Sequence, residues 1–203
     1  FQVEFPRLSM NAQNGDYFSI LETLKTVSAR PKIILFLGSN IGNFGKAEAK
    51  DFFCRLRAVM NENDLLFIGF DLQKDPRVIV RAYDDAQGVT AEFNLNLLRR
   101  INRELGANFD LENFSHYALY RPNEGAARSF LISRAQQTVS VEALGQTFDF
   151  KAWEPIFMEI SQKYSLEMIE DLANGCGFQV AQHFFDRQKY FTDVIWRVSQ
   201  MSE

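Results

Sequence analysis

Two apolar runs of strand length, KIILFLGS at 32–39 and DLLFIGFDL at 64–72, flank a segment in which Ala49, Phe52, Phe53, Leu56, Val59 and Met60 recur at steps of three and four. Steps of three and four put those side chains on one face of a helix. Strand, helix, strand at this spacing is a βαβ unit, and it implies a parallel sheet with helices packed on it. The unbroken apolar character of both runs predicts strands buried on both faces. Open α/β sheets bind ligands beyond the carboxyl ends of their strands, which directs attention to the loops after Leu37 and Phe70.

The remaining chain elaborates this unit. Residues 7–15 (RLSMNAQNG) read as a strand and turn, and Asp16 can cap a helix through Val27 with Phe18, Leu21, Leu24 and Val27 in register. A further helix is expected over 90–105, with Phe93, Leu97, Leu98, Ile101 and Leu105 inward and Gly106 as its stop. Residues 107–150 alternate in runs such as SFLISR and TVSVEAL, which predicts a small antiparallel sheet. Residues 166–174 return to helix, capped by Ser165 and ended by Asn174-Gly175, and Gly175-Cys176-Gly177 reads as its C-terminal cap. The tail, FQVAQHFFD and then FTDVIWRV, reads as two strands joined by DRQKY. The fold class is α/β with a β-rich α+β insertion. The expected division is a core from 1–83 and 162–203, with a second domain over 84–161.

Composition narrows the function. A net charge of −4 argues against nucleic acid, which requires clustered Lys and Arg. The basic group Arg99, Arg100 and Arg103 lies beside Glu104 on the expected helix and reads as a solvated face. No apolar run reaches transmembrane length. Cys54 and Cys176 are far apart, and neither they nor His116 and His183 have metal-ligand spacing. The expectation is a reduced, cytoplasmic protein without a metal. The 20 Phe residues imply a large aromatic core.

Several motifs carry candidate chemistry. Gly38-Ser39-Asn40-Ile41-Gly42-Asn43 follows a strand and precedes a helix, where glycines let a ligand approach the backbone. No Lys-Ser/Thr pair follows, so it is not a P-loop. Tyr83-Asp84-Asp85 offers polar groups that suit a zwitterion, and the two carboxylates serve equally as charges at a helix N-terminus. In MEISQKYS, Glu159 and Ser161 face one way if the segment is extended. A carboxylate and a hydroxyl on one face can hold an imidazole by its nitrogens, and a surface pair is the plainer reading. His116 and His183 read as structural.

FLGSNIGNF, AYDDAQGVTAEFNLNLLRRINRELGANFD and MEISQKYS, in that order and separation, resemble the histidine-specific methyltransferase family, whose best-known members make trimethylhistidine on the ergothioneine pathway. The resemblance implies a class I (Rossmann-like) methyltransferase sheet, with 84–161 as the substrate-binding domain. It implies S-adenosylmethionine as cofactor and N-methylation of the α-amino group of an amino acid, most simply L-histidine. By match to the family's motifs, Gly38 approaches the cofactor and the substrate amine. Asp16, and with it Tyr17 in the GDY stretch, lies near the cofactor's adenine. Asn43 and Tyr83 match the pair that holds the amino-acid carboxylate, and Glu159 and Ser161 the pair that reads the imidazole. The family's first two strands, with the main cofactor loop, are expected upstream of Phe1. The family usually has Met where ARSFLIS places Ser129, and a Ser leaves more room and polarity in the side-chain pocket. The alternatives are a methyltransferase for another amino acid or amine, and a non-catalytic binding module.

Overall fold

The computed structural model describes residues 4–15, 19, 20, 22, 23 and 30–199. β1 (Ile33–Phe36) and β2 (Leu65–Asp71) pair in parallel, from Ile33 opposite Leu65 to Phe36 opposite Ile68. Between them runs α1 (Lys46–Val59), whose periodic residues Ala49, Phe52, Phe53, Leu56 and Val59 are all buried. The expected βαβ unit is therefore present. At its foot, buried Asp64 accepts the Lys32 and Asn61 backbone N–H groups, each at 2.8 Å, and pairs with the Lys32 ammonium at 2.9 Å. These contacts clamp the starts of β1 and β2 together.

The sheet continues with a hairpin, β8 (Phe178–Phe185) and β9 (Phe191–Val198), in the order β1-β2-β9-β8. β9 runs antiparallel to both β2 and β8, so the sheet is mixed rather than parallel. The physical reason is the short connection over 186–190, which cannot make the crossover that parallel pairing needs. Trp196 on β9 lies at the centre of an aromatic core, with ring centroids 4.8 Å from Phe53, 5.5 Å from Phe178 and 5.8 Å from Phe70. α4 (Leu166–Asn174) packs on the same face, its first turn capped where the Ser165 hydroxyl accepts the Met168 N–H.

A second layer is built around β3 (Phe114–Arg121), β4 (Ala126–Ser133) and β7 (Pro155–Gln162), all antiparallel. A ribbon of β5 (Gln137–Val141) and β6 (Gln146–Phe150) adjoins it. α2 (Pro76–Tyr83) and α3 (Val89–Leu105) lead into this layer, and its own small core joins Leu98, Phe114 and Leu131 with Phe109 and Phe150. Asp85 caps α3 by accepting the N–H groups of Val89 and Thr90, and these bonds hold its carboxyl down at about 2. That is the helix-terminal role open to it from sequence.

Four expectations are corrected. β1 is not covered on both faces: Ile33 and Leu35 are 65% and 61% exposed, because β1 is an edge strand with no described element over that face. On α3, Phe93, Leu97 and Leu105 are exposed while Leu98 and Asn94 are buried, so the inward face is rotated toward a polar contact with β3. Residues 7–15 form turns and coil, not a strand, since no described strand pairs with them. Cys54 and Cys176 are joined in a disulfide, their Cα atoms 4.6 Å apart, where a reduced pair was expected. Their separation in sequence hid the packing of α1 beside the end of α4 on one face of the sheet. Of the helix expected from Asp16, Ser19, Ile20, Glu22 and Thr23 are helical. Asp16 and Tyr17 themselves lie outside the described residues.

Candidate functional site

β7 carries Glu159 and Ser161 two residues apart on an extended strand, so both side chains leave the same face. The register with β4 places Ser129 opposite Glu159 and Ala127 opposite Ser161. Both partners are small and fully buried. A bulge follows at once: Ser129 pairs with Glu159 but Phe130 pairs with Phe157, leaving Met158 as the extra residue. Bulges of this kind re-aim neighbouring side chains. The Ser129 hydroxyl donates to Glu159 Oε1 at 3.1 Å. Glu159 has no cationic partner among the described residues.

The alternation continues past the strand to Lys163, which faces the same way as Glu159 and Ser161. Its side chain is only 2% exposed, and its ammonium donates to Asp71 Oδ2 at 2.7 Å, the Tyr83 hydroxyl at 2.7 Å and Ser161 Oγ at 2.8 Å. It also lies 4.8 Å above the Tyr83 ring. A buried ammonium is tolerated only when paired and hydrogen-bonded, and these contacts supply both. Asp71 ends β2, so the cluster stands at the carboxyl end of a sheet strand. Its carboxylate also pairs with Lys74, whose ammonium donates onward to the Tyr190 carbonyl. Tyr120 on β3 lies within this field. Burial pushes its phenol up, Lys163 pulls it down and Asp71 adds to the rise.

The loop after β1 reaches the same place. Ser39 Oγ accepts the Asp71 N–H at 3.0 Å. The 3-10 turn Asn40–Asn43 then passes β7 so closely that a Cβ on Gly42 would lie 3.1 Å from the Gln162 carbonyl oxygen and 3.5 Å from Ser161 Oγ. Only a glycine fits that approach without displacement. Asn43 ends this turn with its side chain exposed. Gly38 has φ +77, and among the described residues a Cβ there would meet only Asn40 Nδ2, at 3.8 Å.

Tyr83 is held from behind. His116 on β3 donates from Nε2 to the Tyr83 carbonyl at 2.7 Å, while the buried Asn94 amide lies 3.1 Å from Nδ1 and donates to it. That arrangement puts the ring hydrogen on Nε2. His116 is structural, as its sequence context suggested, and the structure it supports is the end of α2 that presents Tyr83.

Of the residues singled out from sequence, Tyr83 and Ser161 share one ammonium, Glu159 is on the same strand face, and Asn43 and Gly38 belong to the adjoining loop. Lys163, Asp71, Asn94 and the supporting role of His116 were not singled out. One signal was available for Lys163: in MEISQKYS it extends the Glu159, Ser161 alternation by one more step. A separate cavity of about 280 Å³ between α1 and α4, lined by Lys46, Ala49, Lys50, Tyr164 and Met168, contains none of the candidate polar residues. No group of His, Cys, Asp and Glu suited to a metal ion occurs among the described residues. No described helix is long and apolar enough to cross a membrane.

A family model described as histidine-specific methyltransferase, SAM-dependent, matches residues 1–198. A histidine N-alpha-methyltransferase of Mycolicibacterium smegmatis is 40% identical over 173 residues, covering 85% of this chain and 53% of that protein. Its namesake in Mycobacterium tuberculosis is 37% identical over 192 residues, covering 95% of this chain and 57% of that protein. The chain thus spans little more than half the length of these relatives. Among solved structures, an S-adenosylmethionine-dependent methyltransferase from Clostridium acetobutylicum matches at 10% identity with a TM-score of 0.45, over 98% of this chain and 70% of that one.

Proposed function

Because this chain belongs to the histidine-specific, S-adenosylmethionine-dependent methyltransferase family, we propose that it methylates the α-amino group of a free amino acid, L-histidine first among the candidates. The observation that carries this reading is the cluster on β7: the hydroxyls of Tyr83 and Ser161 held by one buried ammonium, with the Glu159 carboxylate on the same strand face.

In this reading the Tyr83 hydroxyl and the Asn43 amide bind the substrate carboxylate. Glu159 accepts the imidazole N–H, and Ser161 addresses the second ring nitrogen. Gly38 flanks the amine and the cofactor, and Asp16 and Tyr17 complete the cofactor side on the family resemblance. S-adenosylmethionine supplies an electrophilic methyl group. Gly38, Asn43 and Tyr83 would hold the substrate amine toward the carbon–sulfur bond of that methyl donor. The protein's own contribution is to bind the neutral amine in line with that bond, and such positioning accounts for a large part of the barrier reduction. No general base is assigned. The small-molecule substrate calls for no nucleic-acid or membrane partner. A cytoplasmic setting would supply both reactants.

The buried Ser129 beside Glu159 favours a second reading with the same chemistry, in which a different amino acid or amine is methylated. Assay of the full-length protein with labelled S-adenosylmethionine against a panel of amino acids and amines separates the two. Label transfer to histidine above all others is expected. Glu159→Ala should raise KM for histidine by roughly ten- to a hundredfold, the order expected for loss of a hydrogen bond to a charged group. Transfer to another amino acid alone would replace histidine with that substrate, and no transfer to any of them would refute the activity.

A further inference from the structure

Lys163 does more than fill a buried position. An ammonium has three hydrogens and no lone pair. All three are committed, to Asp71 Oδ2, the Tyr83 hydroxyl and Ser161 Oγ. Each hydroxyl therefore accepts from Lys163, and its own hydrogen has to point elsewhere. Neither hydroxyl donates to any acceptor among the described residues. Glu159 has the opposite character: Oε1 accepts the Ser129 hydroxyl, and no described donor is bonded to Oε2. The cluster thus presents two committed donors, Tyr83 from α2 and Ser161 from β7, and one acceptor, Glu159 on β7.

We propose that Lys163 is a positioning residue that sets the hydrogen-bond polarity of the substrate site. It obliges Tyr83 to donate to the substrate carboxylate and Ser161 to donate to a ring nitrogen that carries a lone pair. Together with the acceptor Glu159, this selects a neutral ring with one N–H and one bare nitrogen. An imidazolium has no lone pair and leaves the Ser161 hydrogen unanswered. An indole fails in the same way. Sites built on buried hydrogen bonds reject analogues that cannot complete them far more strongly than apolar pockets do. The inference rests on the amino-acid reading above and adds the protonation state of the ring.

The test is calorimetric titration of the full-length protein with L-histidine, with S-adenosylhomocysteine present. In wild type, affinity for histidine relative to the triazole isostere 3-(1,2,4-triazol-3-yl)-L-alanine should fall roughly tenfold between pH 7.5 and 5.5, as the imidazole passes through its ordinary pKa of about 6.5. The isostere's ring stays neutral over that range and its α-amino group titrates alongside that of histidine. It controls for the protein groups that face the site: Glu159, Asp71, Lys74, Lys163, Tyr83 and Tyr120. Replacing Lys163 alone, in the Lys163→Met variant, leaves Asp71 paired with Lys74 and so leaves no lone buried charge. That variant should bind histidine roughly ten- to a hundredfold more weakly. Adding Ser161→Ala to it should cost little more, although Ser161→Ala alone weakens wild type. Histidine binding that tightens relative to the isostere at low pH, or losses that simply add, would overturn the role of Lys163. Wild type that fails to bind histidine at all would instead overturn the reading on which it rests. The pH arm stands whether or not the variant folds.

Discussion

His116 shows how a residue outside the proposed substrate site can position one inside it. Its Nε2–H fixes the Tyr83 carbonyl, and Asn94 fixes the ring. Replacing it with Leu leaves a half-buried carbonyl and a buried amide without partners. The expected cost is about 1–3 kcal/mol of stability, read by denaturant unfolding. KM for the amino acid should rise roughly tenfold as Tyr83 loses its fixed position, on the scale of one hydrogen bond to a carboxylate. His116→Gln, which keeps a donor there, should restore most of the KM. An equal KM in the Leu and Gln variants would separate His116 from the site. Sequence periodicity did not expose this pair, because Asn94 sits where an apolar residue was expected to face inward. The helix turned instead to satisfy a polar contact from β3, a partner known only once the strands are placed.

At the scale of elements, the clamp between β1 and β2 depends on Asp64. Its burial alone would raise the carboxyl, but the Asn61 backbone N–H, the Lys32 ammonium and the Lys32 backbone N–H outweigh that and hold it below the ordinary value. A carboxyl lowered in the folded state stabilises the fold above its unfolded pKa of about 3.9, and that contribution is lost as pH falls through the folded value. Asp64→Ala should cost about 3 kcal/mol near neutrality, the order for stripping one partner from a buried ion pair. The deficit relative to wild type should shrink when unfolding is measured at pH 3. A deficit independent of pH would mean that the loss is one of packing. Elements whose signal is local were legible from sequence: α1 from its period, the α4 cap at Ser165, the α3 stop at Gly106. Direction and cover were not. The antiparallel β9, the exposure of Ile33 and Leu35 on β1 and the Cys54–Cys176 bridge all depend on neighbours remote in sequence.

Across the whole molecule, the two layers meet where β2 ends and β7 leaves its sheet, and the Asp71–Lys163 contact lies at that junction. Tyr83 arrives from α2, Ser161 and Glu159 from β7, and the Gly38–Asn43 loop from β1. The sequence motifs indicated most of these residues singly, through their family resemblance. The buried ammonium that ties them together was invisible until the alternation on β7 became a real strand face. The most direct measurement is a crystal structure of the full-length protein with L-histidine and S-adenosylhomocysteine. The account predicts the histidine carboxylate within hydrogen-bond distance of Asn43 and Tyr83, and its ring nitrogens within reach of Glu159 and Ser161. Histidine bound elsewhere, or seated with its ring remote from β7, would contradict it.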